Sequence, residues 1–399
     1  MHYKRFDPGT VPLPAQRVSA LPTISLASIL LFRRGPSPGQ DAAPRLPYAR
    51  SRYALTDAFR LCGAGQGTVV FAPAYHCRTM LDPAIRLGAE VRLYSLLPDL
   101  RPDLDALERS LNECGAKVVA LLAVHYFGFQ QDWTALAAIC KRSGVALIED
   151  CSHCLPALSG LNGLGAAGRY SVWSPYKFYP CEDGGELQAN AGAPLPQLRN
   201  ESPQLLDEIR GLVHLMQHAR MGTSVRDLSR LPGELSQVPR GPGTTGVEVL
   251  ESGAGVSDQY DTLLERRRSL VSSRWITRHA DASRIRDLRR AHYVQWVEAT
   301  AELPNCRALF PELPEDCVPY MFPLLVEDAG PLVMLVKRLG LPVWRWDNMA
   351  ISSCSVAGRY RLNLLQLPCH QELNPDEMNW MFAALSQAQG RFSMGQLPA

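Results

Sequence analysis

The chain has 399 residues with 41 basic against 39 acidic side chains, a balance that excludes a broad electrostatic footprint for nucleic acid or an anionic membrane surface. Its length exceeds one ordinary hydrophobic core, so two packed units sharing an interface are expected. Eleven scattered cysteines suit free thiols better than a disulfide framework and point to a reducing compartment.

The first 45 residues read as an irregular, proline-rich segment. Their start, "MHYKRFDPGTVPLPAQ", lacks the basic-then-apolar pattern of a signal peptide, and "ISLASILLF" is too short to cross a bilayer. A cytoplasmic protein is expected, with neither membrane nor nucleic acid among its partners. From about residue 50, helical and strand-like patterns alternate. "RYALTDAFRLCGAG" reads as a helix stopped by glycine and "TVVFAPAY" as a buried strand, and the relay continues through "EVRLYSL", "LDALERSLNECGA", "KVVALLAVHYFG", "DWTALAAICKRSG" and "VALIEDCSH". Strands that are apolar throughout, separated by helices, predict an α/β sheet covered on both faces. Residues 195–260 turn rich in glycine, proline and small polar side chains, which places a boundary near 245. The expected units are residues 1–45 (irregular), 46–245 (a large domain) and 246–399 (a smaller C-terminal α/β domain). Within the last, "YDTLLERRRSLVSSRWITRHADASRIRDLRRAHYVQW" reads as one or two long helices. Their basic face is either a solvated surface or a contact for an acidic partner such as a carrier protein.

Ligands of open α/β sheets bind at the carboxyl ends of strands. Asp150 stands there, after "VALIE", though a lone Asp at a strand end is more often a helix cap or turn former. Lys177 follows the strand-like "YSVWSPY"; apolar surroundings disfavour the charged amine and make the neutral form a nucleophile toward carbonyls, while the residues by themselves better suit a lysine snorkelling to solvent from a partly buried strand. Cys151 and Cys154 form a C-x-x-C without the second ligand pair a zinc site needs, so no metal site is expected.

Five segments in order, "VVFAPAYHC", "GAEVRLYSL", "LLAVHYFGFQQDWTAL", "GVALIEDCSHCLPA" and "YSVWSPYKFYPCEDGGEL", resemble the aminotransferases of the DegT/DnrJ/EryC1/StrS family. The resemblance implies an aspartate-aminotransferase-like fold (fold type I), with a mixed, mostly parallel sheet flanked by helices in the large domain. It implies pyridoxal 5'-phosphate (PLP) as cofactor, Lys177 as the lysine of the internal aldimine, and Asp150 facing the pyridine nitrogen. A carboxylate there keeps the ring protonated and electron-accepting, and the displaced lysine then moves the substrate's proton. His153 falls where the family has a histidine or glutamine near the cofactor's 3-oxygen. His76 or Cys77 falls at the ring-stacking position, and Ser51, Arg52 and Tyr53 at the phosphate turn, where Ser51 also reads as a helix N-cap. Relatives carry a serine five residues before the lysine and an asparagine directly after it. Here Val172 and Phe178 stand in those places, Ser174 substitutes for the serine, and the pattern marks a less typical branch. Gly184 and Gly185 read as a close backbone approach or a turn with positive φ.

The function implied is transfer of an amino group from an amino acid donor, glutamate or glutamine, to a keto group of a sugar or related metabolite, by a homodimer with shared active sites. Arg274, Arg278 and Tyr293 are read as reaching the neighbouring protomer's cofactor phosphate or an anionic substrate. Arg345 and Trp346, with Asn348, are read as lining the substrate mouth. Two other readings stand beside it. One is elimination, decarboxylation or oxidation on the same cofactor; the other is a non-catalytic regulatory protein on the same fold.

Overall fold

The computed structural model describes residues 1–7, 13–25, 28, 45–158, 163–190, 192–196, 201–220, 228–237, 247–253 and 255–394. The boundary expected near 245, and most of "ISLASILLF", lie outside them.

The large unit carries strands β2 (Arg45–Tyr48), β3 (Thr68–Pro73), β4 (Glu90–Tyr94), β5 (Lys117–Val124), β6 (Ala146–Cys151), β7 (Tyr170–Trp173) and β8 (Gly185–Ala189). They form one seven-stranded sheet in the order β2-β8-β7-β6-β5-β3-β4. The run from β4 to β7 is parallel, while β8 is antiparallel to both β7 and β2. Helices α1 (Ser51–Leu61), α2 (Arg78–Arg86), α3 (Leu104–Asn112) and α4 (Thr134–Arg142) are the crossovers. The α/β fold with a mostly parallel sheet is the one the apolar strands imply: Ala120 to Val124 of β5 are buried in succession, as helices on both faces require. Helix α3 starts where Asp103 accepts the Ala106 N–H, a side-chain N-cap.

Beyond the connection come α5 (Leu205–Arg220), α6 (Leu231–Gln237), β9 (Val247–Ser252), α7 (Val271–His279), α8 (Ala282–Thr300), β10 (Cys306–Ala308), β11 (Met321–Val326), α9 (Gly330–Arg338), β12 (Met349–Ala350), α10 (Ser355–Asn363), β13 (Leu364–Pro368) and α11 (Pro375–Met394). The basic stretch is therefore two helices, with Asp281 capping the second through the Ser283 and Arg284 N–H groups. An antiparallel sheet β10-β11-β13 forms the small unit's floor. Trp296 of α8 stacks on Phe322 of β11 at 5.8 Å and meets Phe382 of α11 edge-on at 4.7 Å. Such aromatic pairs add to the burial that joins helix to sheet.

The first 45 residues are not irregular throughout. His2–Asp7 is strand β1, the middle strand of a third sheet, β12-β1-β9. Its charged sequence conceals this because only Tyr3 is buried, beneath the Arg78 guanidinium 4.0 Å from its ring. Among the described residues, no helix is long and apolar enough to cross a membrane.

Candidate active site

Period-two alternation in β6 sends Glu149 and Asp150 to opposite faces of the sheet. Glu149 is buried, accepting the Gly168 N–H at 2.7 Å and lying 3.1 Å from His125 Nε2. Asp150 faces a cavity at the carboxyl ends of the parallel strands, with Oδ1 accepting the Ser152 N–H at 2.8 Å. Val172 of β7 is its register partner. The chain then leaves β7 through a 3-10 turn, Pro175–Lys177, which presents Lys177 to the same cavity, with Nζ 5.1 Å from the centre of the Tyr320 ring.

His153 occupies the third side. Its Nδ1 accepts the Phe127 N–H at 3.1 Å, which leaves the ring proton on Nε2. Burial first, and the nearby Lys177 ammonium second, push its pKa well below the usual histidine value, so the ring is neutral. It stacks on Tyr320 at 4.4 Å and on Phe127 at 5.7 Å. Phe127 adopts φ +58° and Gly128 φ +97° in the turn after β5. A Cβ on Gly128 would sit 2.2 Å from the Val318 carbonyl oxygen, so the small unit closes directly onto this turn. Such a backbone conformation in a non-glycine residue is held by its surroundings, here the Tyr320 N–H donating to the Phe127 carbonyl at 2.8 Å.

The floor is the start of α1. Gly184 has φ +146°, and a Cβ on Gly185 would lie 2.3 Å from both Arg50 C and Ser51 N. The missing side chain of Gly185 lets β8 pass this close to the helix, whose first N–H groups lack intrahelical partners and favour an anion. Both readings of the glycine pair, close approach and positive φ, are thus present, one at each residue.

Of the residues singled out from the sequence, Ser51, Arg52, Cys77, Asp150, His153, Lys177 and Trp346 line this one cavity. Several others do not. Arg50, extended at φ −145°, is the N-cap of α1, and Ser51 is its first helical residue. Arg52 lines the cavity while Nη1 donates to the Gln259 carbonyl. Tyr53 is turned into the core, edge-on to Tyr260 at 5.3 Å, away from any phosphate turn. His76 is buried between the Cys77 carbonyl and the Ala350 N–H, with burial lowering its pKa to about 4, so of the two ring-stacking candidates Cys77 is the one in the cavity. Ser174 is fully buried beside the lysine turn, and its Oγ has no hydrogen-bond partner among the described residues. Arg345 does not reach the mouth: its guanidinium lies over Phe6 at 4.2 Å, donates to the Leu362 carbonyl and pairs with Asp347. Asn348 Oδ1 is buried without a partner among the described residues. Tyr293 is fully buried, its hydroxyl donating to the Phe310 carbonyl, and cannot extend to another protomer; Arg274 donates to the Ser269 carbonyl within its own turn. Cys151 and Cys154 pack with Leu164 and Trp173 in a satellite core, where burial first pushes the Cys151 thiol pKa well up.

Arg50, Thr79, Tyr176 and Tyr320 join the site without having been marked. Tyr176 was legible as the lysine's neighbour; Arg50 stacks on it at 4.4 Å. Tyr320 had only its place in "VPYMF", beside no charged residue.

The mostly parallel sheet in this order, with a lysine on the turn after one strand and an aspartate at the end of its neighbour, is the architecture of fold type I. Residues 51–194 match the DegT/DnrJ/EryC1/StrS aminotransferase family. It is 29% identical over 149 residues to L-glutamine:scyllo-inosose aminotransferase of Streptomyces griseus, covering 36% of this chain and 34% of that protein. It is also 29% identical over 146 residues to 8-amino-7-oxononanoate synthase of Burkholderia mallei, covering 36% of each. The chain thus spans about a third of the length of the curated relatives it matches. In fold it is similar to Helicobacter pylori PseC, an aminotransferase involved in the biosynthesis of pseudoaminic acid, with a TM-score of 0.61, 15% identity and 94% of each chain covered.

Proposed function

We propose that the protein is a PLP-dependent aminotransferase that moves an amino group from glutamate or glutamine to a keto group of a sugar or related metabolite. The observation that carries this is the convergence of Lys177, Asp150, His153 and the start of α1 on one cavity. The residues fit the cofactor: Arg50, Ser51 and Arg52 at the start of α1 line the cavity where a phosphate would sit, and a carboxylate, a neutral imidazole and an amine surround the space beyond it. PLP, when bound, supplies an aldehyde that condenses with amines and a ring that accepts electrons from the substrate carbon. Asp150 would keep the ring nitrogen protonated, and the His153 Nε2–H would donate to the 3-oxygen. Ser51 with the α1 N–H groups would hold the phosphate, and Cys77 would cover a ring face. Lys177 would take the donor's α-proton and deliver it to the cofactor's aldehyde carbon, and in the second half of the reaction would carry a proton from that carbon to the acceptor's former keto carbon, within reach because its turn opens into the cavity. Tyr176, Tyr320 and Trp346 would keep water from it.

A homodimer is supported by α5, on which Leu205, Leu206, Ile209, Leu212, Val213 and Met216 form an exposed apolar stripe beside Trp275 of α7. Eleven free thiols favour a cytoplasmic location. The equal similarity to a synthase favours, as second reading, another reaction on the same cofactor. The test is the visible spectrum of the PLP-loaded protein with a panel of amino donors, beside Lys177→Ala. Bleaching by glutamate or glutamine in the wild type alone supports the aminotransferase. A band indifferent to every donor supports the second reading, and no cofactor-dependent band refutes both.

A further inference from the structure

Arg289 of α8 is the least expected side chain near the lysine. It is a guanidinium 1% exposed, and all four of its hydrogen-bond acceptors are neutral. Nη2 donates to the Lys177 carbonyl at 2.9 Å, Nη1 to the Pro319 and Tyr320 carbonyls at 3.1 and 3.0 Å, and Nε to Gln371 Oε1 at 2.9 Å. Gln371 in turn donates to the Phe178 carbonyl at 2.8 Å. The guanidinium plane covers the Phe178 ring at 4.5 Å. Burial lowers its pKa to about 10, so it remains charged at neutral pH. Among the described residues no carboxylate bonds it, the nearby Glu372 being paired with Arg284; such a buried cation is costly, and hydrophobic side chains would fill the same space more cheaply. What the arrangement achieves is geometric. Two small-unit side chains grip the backbone on both sides of the Lys177–Phe178 peptide, and the same guanidinium fixes the backbone of Tyr320, whose ring lies under Lys177 Nζ and against His153.

Resting on the cofactor reading above, we propose that Arg289 and Gln371 are positioning residues, a carbonyl clamp that holds the Lys177 turn where the amine can bond to the cofactor. Neither touches the cavity, so their effect passes through the lysine backbone and Tyr320 alone. A fork donor is required because one group must serve three backbone carbonyls lying in different directions, which a lysine ammonium on a flexible stem does not do in fixed geometry. The clamp would be needed for the covalent bond to Lys177 and dispensable for the cofactor's ring and phosphate contacts.

The test uses the full chain as wild type, Arg289→Lys and Gln371→Ala, with two ligands of the same ring and phosphate. PLP bonds to Lys177, whereas pyridoxamine 5'-phosphate does not. Affinities are measured by calorimetry and the rate of PLP capture by stopped-flow absorbance. The expected result is pyridoxamine phosphate affinity within about twofold of wild type, with PLP affinity and capture rate each reduced about tenfold or more, since misplacement by about 1 Å can cost on the order of 100-fold. Gln371→Ala keeps the charge buried and partnered by carbonyls, so it tests the clamp if Arg289→Lys does not fold. Equal loss of both ligands in a folded variant, or unchanged PLP capture in both variants, would overturn the clamp. A wild type that binds neither ligand overturns the cofactor reading itself, and the clamp with it.

Discussion

Gly185→Ala is the sharpest probe of the floor of the site. The added methyl would lie 2.3 Å from Arg50 C and Ser51 N and 2.5 Å from the Arg50 carbonyl oxygen, against 3.4 Å or more for ordinary contact. All three atoms are backbone, so no side chain can rotate away, and β8 and the start of α1 must part by about 1 Å. Overpacking of this kind costs about 1–3 kcal/mol of stability. The same shift moves the N–H groups intended for the phosphate. Losing the alignment of one hydrogen bond to a charged group, worth about 1.5–3 kcal/mol, weakens PLP binding by on the order of 10- to 100-fold. Urea unfolding gives the first quantity and spectrophotometric titration with PLP the second. Gly233→Ala, in α6 with nothing within 4 Å of its Cβ, is the control, expected to be neutral or to stabilise by about 0.5–1 kcal/mol. A Gly185→Ala protein that unfolds at the wild-type urea concentration and binds PLP equally well would refute the assignment of this floor as the phosphate cradle.

Stability should fall between pH 7 and 5. His76 and His370 are held neutral by burial, with pKa values of about 4 and about 3. Their contributions are full above the unfolded value near 6.5 and are lost as pH falls toward the folded values, about 2 kcal/mol for each by pH 5. Asp183, raised to about 6 by burial, opposes this by about 1 kcal/mol, because it takes up its proton in the fold first. A net loss of at least about 2 kcal/mol in urea titrations is expected, since the buried, neutral His153 acts in the same direction, and a flat profile would contradict the buried neutral imidazoles. Asp150→Asn preserves the acceptor for the Ser152 N–H, so it should leave unfolding unchanged while lowering turnover by at least about 100-fold; comparable turnover would remove Asp150 from the ring nitrogen. Ile209→Glu with Met216→Glu, on the exposed stripe of α5, should shift a dimer to monomer in sedimentation, and an unaltered dimer would place the interface elsewhere.

What could be read from the sequence follows from where information is local. The parallel relay was legible because strands such as "KVVALLAV" are buried on both faces and carry no polar face to confuse the period. Asp150, His153 and Lys177 were legible because their segments lie on successive strand ends in a fixed order. Strand β1 was not, since its partners, Val247–Ser252 and Met349–Ala350, lie far along the chain and five of its six side chains are not buried. Tyr53 was misplaced because the phosphate turn was taken as three consecutive residues, whereas a helix turns each successive side chain by a large angle and sends the third into the core. Arg289 was hidden among the arginines of "RIRDLRRAHY", yet a signal existed. It shares the stripe of Ile285, His292, Tyr293 and Trp296, all buried at spacings of three and four residues, while Arg286 and Arg290 fall off it. An arginine on an otherwise apolar helical face is the pattern that separates an anchored guanidinium from a solvated one.

The central place of β1 between β9 and β12 also bears on how the protein is made. Translation proceeds at about 5–20 residues per second, so His2–Asp7 waits on the order of 10–50 s before Val247–Ser252 exists to pair with it. The large sheet, whose strands all lie within residues 45–189, can assemble on the ribosome during that interval. The small sheet around β1 is a late event, sewn from segments far apart in time. A nascent chain paused before residue 247 should therefore protect the β5 and β6 amides from hydrogen exchange while those of β1 remain open.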